Sequence, residues 1–208
     1  MRIEFLSDRP DRAGRYTLRL DSGQTMRLYR QTVEDFALYT GMELEEGQLS
    51  ALTQRAGEMS AKMRAVRIVA ASSVSRRDLQ QRLVRKGEDP DQAEAAVEWM
   101  EQLHLVDDRQ TASEIVRRCI SRGYGIARAK QMLYEKKIPK EYWEGALEDY
   151  PELDDKITEF LRSRLGPCPD EKQKRKAVDA LLRRGHSYGA VRRALDALGQ
   201  DTEEFQEE

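Results

Sequence analysis

An internal repeat constrains this chain more than any other feature. The segments SRRDLQQRLVRKGEDPDQAEAAVEWM from Ser75, GIARAKQMLYEKKIPKEYWEGALEDY from Gly125 and KQKRKAVDALLRRGHSYGAVRRALDAL from Lys172 align on Gly87, Lys137 and Gly185, at spacings of 50 and 48 residues. A recurrence of this period marks a chain that folds as a string of similar units. Four residues before each anchor stands a leucine: Leu83, Leu133 and Leu181. Eight before stand Leu79, Ala129 and Ala177, and ten after stand Val97, Leu147 and Leu195. Basic residues precede each anchor: Arg85 and Lys86, Lys136, and Arg183 with Arg184.

Such a pattern describes a helix that ends at the anchor, where glycine takes the left-handed cap conformation, followed by a short turn and another helix. In the first copy Asp89, Pro90 and Gln92 have the character of an N-cap, an N1 proline and a capping-box partner. Lys137 departs from glycine in the second copy and makes that cap less secure. A further helix precedes each pair, over Met59 to Ala71, Thr111 to Ser121 and Asp155 to Arg164. In the last two, Ala112, Ile115, Val116, Cys119 and Ile120, then Ile157, Phe160, Leu161 and Leu165, mark one buried face. The expected fold is mainly α: three tandem three-helix units, helix-turn-helix-like, elongated and curved. Helical period alone also fits a bundle, whereas the repeat selects the serial arrangement.

The first thirty residues differ. RYTLRLDSG and QTMRLYR each alternate apolar and polar residues, the signature of a β-hairpin, with Tyr16, Leu18 and Leu20 on one face, Met26 and Leu28 facing them, and Asp21, Ser22 and Gly23 in the reversal. Helical pattern starts at VEDFALYTG, is interrupted at Gly41 and Gly47, and resumes through Gly57, with Met59, Met63, Val66 and Ala70 predicted as a core stripe. The expected organisation is a hairpin with a helical extension over 1–57, repeats over 58–108, 109–152 and 153–200, and an acidic tail over 201–208.

Composition narrows the function classes. Charged residues make up 36% of the chain and aromatics 7%, so the apolar material is spread over much surface. No signal-peptide core or membrane-spanning run is present in the sequence, which leads us to expect a cytoplasmic protein with no membrane partner. Cys119 and Cys168 are the only cysteines, and Cys119 falls on a core face. His104 and His186 stand apart from any partner at metal-ligand spacing, and no phosphate-binding or nucleophile motif occurs. Asp107 with Asp108 and Asp154 with Asp155 precede helices, where carboxylates favour the positive end of the helix. The expectation is a non-enzyme with no metal and no cofactor.

Net charge is only −2, yet it is organised within the repeat. Lys62 to Lys86 holds eight basic residues and one acidic, while Gly87 to Gln110 holds one and eight. Ser121 to Lys140 holds six basic and one acidic, while Glu141 to Phe160 holds one and eight. Arg162 to Arg193 holds ten and three, and Ala194 to Glu208 holds six acidic and none basic. Single charge runs are ordinarily solvated faces. Three recurrences in phase indicate stripes of both signs along a binding surface. A basic helix after a turn also admits a helix-turn-helix DNA reader, in which Arg128, Lys130, Lys136 or Arg183 would meet phosphates. Tyr124, between Gly123 and Gly125, could stack on a base or pack against a neighbouring helix.

SRRDLQQRLVRKG, the run LHLVDDRQTASEIVRRCISRGYGIARAKQMLYEKKIPKEYWEGAL and KRKAVDALLRRGHSYGAVRRAL together resemble the bacterial RecX regulatory family, over roughly Val66 to Leu198. His104 and Lys137 stand where that family often has glycine. The resemblance implies a modulator of the RecA recombinase, built of three-helix repeats, that lodges in the groove of the RecA filament on single-stranded DNA. It further implies opposition to filament growth, ATP hydrolysis and strand exchange. The contact stripe would then comprise Arg76, Arg77, Arg82 and Lys86; Arg122, Tyr124, Arg128, Lys130 and Lys136; and Arg175, Lys176, Arg183 and Arg184. Expected partners are the RecA filament, single-stranded DNA and, more weakly, duplex DNA, met by a monomer. The competing class is a stand-alone helix-turn-helix transcriptional regulator that binds duplex DNA without RecA.

Overall fold

The computed structural model describes residues 1–166 and 169–204; Cys168 and residues 205–208 of the expected acidic tail lie outside them. The alternating N-terminal segments form β2 (Arg15–Leu20) and β3 (Thr25–Tyr29), antiparallel, with Tyr16 opposite Leu28 and Leu18 opposite Met26. A third strand not read from the sequence, β1 (Ile3–Leu6), adds to the other edge of β2, pairing Ile3 with Leu20 and Leu6 with Leu18 across a register irregularity. Four residues are too few for alternation to declare a strand, and the edge of β2 supplies the hydrogen bonds that hold it. Ile3, Leu18, Leu20, Leu28, Leu38, Leu44 and Leu52 close a small core beneath the sheet. Of VEDFALYTG, only the start is helical, in α1 (Arg30–Asp35); beyond Phe36 the chain turns through Ala37 at φ +46°.

Helix α2 (Glu46–Ala71) begins with a capping box formed by Glu45 and Gln48 and runs through Gly57 unbroken. It serves two cores, Leu52 in the sheet cluster and Ala61 with Ala65 in the next. This corrects the predicted stripe: Ala70 is exposed, Met59, Met63 and Val66 are only half-buried, and the fully buried positions in this half of the helix are the two alanines. The physical reason is close approach. Helix α4 (Pro90–Gln102) packs against α2, and the carboxamide of Gln92 lies over Gly57, so small residues line the contact. Gln92 is therefore not the capping-box partner expected of it; Asp89 alone caps α4, accepting from the Asp91 and Gln92 amides at 3.0 and 3.3 Å. Between them, α3 (Arg76–Arg85) starts at Ser75, whose hydroxyl accepts from the Asp78 amide at 3.1 Å. Val74, Leu79, Leu83, Ala93, Ala96, Val97 and Met100 complete this core.

Residues 1–106 form one compact unit and 107–208 a second. The second contains α5 (Asp108–Ser121), α6 (Ile126–Glu135), a 3-10 turn over Lys140–Tyr142, α7 (Trp143–Leu147), α8 (Asp154–Arg164), α9 (Glu171–Arg183) and α10 (Tyr188–Glu204). Its helices enclose two clusters, one around Ala112, Ile115, Val116, Cys119, Ala129 and Leu133, the other around Ile157, Leu161, Ala177, Leu181 and Val191. Here the full-length helix expected after Lys137 shrinks to the 3-10 turn and five α-helical residues. The indole of Trp143 donates to the Ile138 carbonyl at 3.0 Å and ties this short element to the end of α6.

All three anchors are left-handed: Gly87 at φ +88°, Lys137 at +57° and Gly185 at +87°. The same pair of backbone bonds closes each helix. Glu88, Ile138 and His186 amides donate to the Leu83, Leu133 and Leu181 carbonyls at 3.2, 3.0 and 3.2 Å, while each anchor's own amide bonds three residues back. This is the Schellman geometry. The leucine four residues before each anchor is thus held at both ends of its chemistry, with its side chain buried in a core and its carbonyl fixing the cap.

Candidate binding surface of the basic second helices

The basic helices of the second unit meet end to start. The carbonyls of Arg184 and Gly185, left over at the end of α9, accept from the Gly125 and Ala127 amides at the start of α6, at 2.9 and 3.3 Å. Orphan acceptors of one helix thereby satisfy orphan donors of another, and the dipoles meet with opposite partial charges. The approach is so close that a Cβ on Gly125 would strike the backbone of Gly185, and one on Gly185 would strike the backbone of Arg128.

Side chains reinforce the junction. The Arg184 guanidinium lies over the Phe160 and Tyr124 rings, 5.1 and 5.5 Å from their centroids, and donates to the Arg122 carbonyl at 3.0 Å. His186 is buried, with its Nε2 3.0 Å from the Gly123 carbonyl. Since a carbonyl only accepts, Nε2 carries the proton; burial lowers the imidazole pKa below its usual range, the bond to Gly123 opposing this and Arg184 adding to it. The Tyr150 hydroxyl donates to the Tyr124 carbonyl at 2.6 Å, and burial pushes its pKa up to about 12. Burial also pushes the Cys119 thiol up, and its sulfur rests 3.4 Å from that of Met132, an unreactive core position.

The predicted contact residues divide by what holds them. Arg175, Lys176 and Arg183 are exposed on α9, and Lys130 is exposed on α6. Arg128 is half-buried beside Gly185 and lies 3.4 Å from Glu135, and Lys136 is the half-buried C-cap of α6. Arg122 is exposed with its carbonyl engaged by Arg184, whereas Tyr124 and Arg184 pack on one another at the junction. In the first unit Arg77 and Lys86 are exposed. Arg76 pairs with Glu101 at 3.0 Å and Glu98 at 3.8 Å on α4, and Arg82 with Asp78 at 2.8 Å. The Lys86 carbonyl accepts from Arg64 at 2.6 Å, and Arg64 also meets the buried Glu88 carboxylate at 2.6 Å. Charge pattern alone did not distinguish cations that hold helices together from cations that face outward. Phe160 and His186 were read only as a core residue and an isolated histidine; the signal that could have found them is the pair of glycines, Gly125 and Gly185.

A small antiparallel sheet followed by ten helices, several of them basic, among the described residues defines a mainly helical protein. No family model matches the chain. Over 143 residues it is 30% identical to the regulatory protein RecX of Halorhodospira halophila, covering 67% of this chain and 88% of that protein. Over 196 residues it is 26% identical to the regulatory protein RecX of Streptococcus gordonii, covering 92% and 75%. A crystal structure of regulatory protein RecX shares the fold at a TM-score of 0.62 and 23% identity, covering 94% of this chain and 98% of that one. The chain belongs to the RecX family of regulatory proteins. Among the described residues no helix is long and apolar enough to cross a membrane.

Proposed function

We propose that this protein binds the RecA filament assembled on single-stranded DNA, lies along its groove, and limits filament growth, ATP hydrolysis and strand exchange. It does so as a cytoplasmic monomer and without a reaction of its own. The observation that carries this is the junction of α9 with α6, whose hydrogen bonds join two basic helices from successive copies of the repeat. Lys130, Arg175, Lys176 and Arg183 remain exposed along them. A stretch of cations held at fixed spacing suits a long, repeating, negatively charged target, and acidic segments between the basic ones keep net charge low, so that attraction is local. Both DNA and protein subunits line such a groove, so a surface of two signs can meet each.

The test is a titration into single-stranded-DNA-dependent ATP hydrolysis by RecA, beside a titration of the same DNA without RecA. Inhibition at concentrations well below those that coat naked DNA supports the filament as target. Tight, sequence-selective binding to duplex DNA with no effect on RecA would replace this function with that of a transcriptional regulator.

A further inference from the structure

The three-stranded sheet of the first unit keeps one face outside the core. Residues paired across strands share a face, so Phe5 on β1 stands beside Arg19 on β2, and Thr17 and Arg19 stand beside Arg27 and Thr25 on β3. Leu18, Leu20 and Leu28 take the other face, toward the core. The Phe5 ring is 43% exposed, and the Arg19 guanidinium lies 5.6 Å from its centroid. Charge is concentrated in this segment as well. Residues 1–30 hold seven arginines, no lysine and four carboxylates, a net charge of +3 in a chain of −2. Arg15 pairs with Asp11, Arg19 with Glu4 and Arg30 with Glu34, at 2.8, 2.9 and 2.7 Å. Arg2, Arg9, Arg12 and Arg27 are exposed and form no ion pair among the described residues.

We propose that this outer face of the sheet binds single-stranded nucleic acid, with Phe5 as the platform for one unstacked base and Arg19 and Arg27 as contacts for its phosphates. The site is separate from the basic helices and works without RecA, so it stands apart from the filament-binding function above. An aromatic ring left open on a sheet offers a flat surface that any base can cover, and such stacking requires a base released from a duplex. Arginine meets phosphate through a planar fork of donors, and Arg27 has no internal ion pair to give up. Strands β2 and β3 contain no carboxylate, and the acid nearest the ring, Glu4, is balanced by Arg19. An acidic peptide would engage the same arginines but would draw nothing from the ring.

The test uses the full chain and follows the fluorescence anisotropy of a labelled oligodeoxythymidylate and of an abasic strand of the same length. Because RecA is absent, the result is independent of the ATP hydrolysis titration. The unmodified chain is expected to hold the thymidylate strand about tenfold more tightly than the abasic one. Phe5→Leu, which keeps an apolar side chain, is expected to remove that difference by weakening the thymidylate complex alone. Arg27→Gln is expected to weaken both complexes alike and to lower the salt dependence by about one phosphate contact. Equal affinity of the unmodified chain for the two strands, or a preference that survives Phe5→Leu, overturns the proposal. A loss confined to Arg27→Gln also overturns it, since charge alone would then describe a site for any polyanion, acidic peptides included. Thermal unfolding checks that each variant is folded, and Phe5→Ile, which suits a strand, replaces Phe5→Leu if that variant is not.

Discussion

Backbone conformation at single residues decides how these helices end. Lys137 and His104 occupy left-handed positions, at φ +57° and +55°, with the same cap bonds that glycine makes at Gly87 and Gly185. A side chain there is strained, so Lys137→Gly and His104→Gly are each expected to stabilise the protein by about 0.5–1 kcal/mol, read from urea unfolding midpoints. Gly125→Ala is expected to act in the opposite sense, by about 1–3 kcal/mol, since its Cβ meets Gly185 backbone that cannot yield. The repeat made Leu83, Leu133 and Leu181 legible as core residues from spacing alone. It left the cap at Lys137 doubtful because glycine is the usual sign of one. What holds Lys137 in place is tertiary, the burial of Leu133 and Ile138 on either side of it. Gly125 carried no such sign: a glycine at a helix start looks like an N-cap until its neighbour across the junction is known.

Elements were legible where one face is buried and illegible where two are shared. The amphipathic pattern of α5 and α8 located both helices and their cores. In α2 the same logic selected the methionines, because periodicity weights apolar volume, while the contact with α4 is set by alanine and glycine. The shortened helix after Lys137 was hidden by its likeness to the longer helices of the other copies. The contact between α9 and α6 also predicts a pH dependence. His186 is buried with its pKa lowered, so the unfolded chain binds its proton at higher pH than the folded one does. Stability contributed at this position is therefore complete above the unfolded value, about 6.5, and declines as pH falls below it. Thermal unfolding is expected at lower temperature at pH 5.5 than at pH 7.5, with a smaller decrement in His186→Gln; an equal decrement would remove His186 as the cause.

For the molecule as a whole, the charge of −2 conceals cations and carboxylates that are separated along the sequence of the repeat. The sequence counts made that separation visible. They could not show which cations are spent within the fold, as Arg76, Arg82 and Arg184 are, and which face outward, as Lys130, Arg175, Lys176 and Arg183 do. That division gives the most direct test of the central claim, that the outward cations of the joined basic helices grip a RecA filament. Lys130, Arg175, Lys176 and Arg183 would be reversed together to glutamate and binding measured to preassembled RecA filaments on single-stranded DNA, with helicity followed by circular dichroism. A loss on the order of 100-fold at unchanged helicity is the expected result. Filament binding that survives the four reversals at full strength would contradict the account.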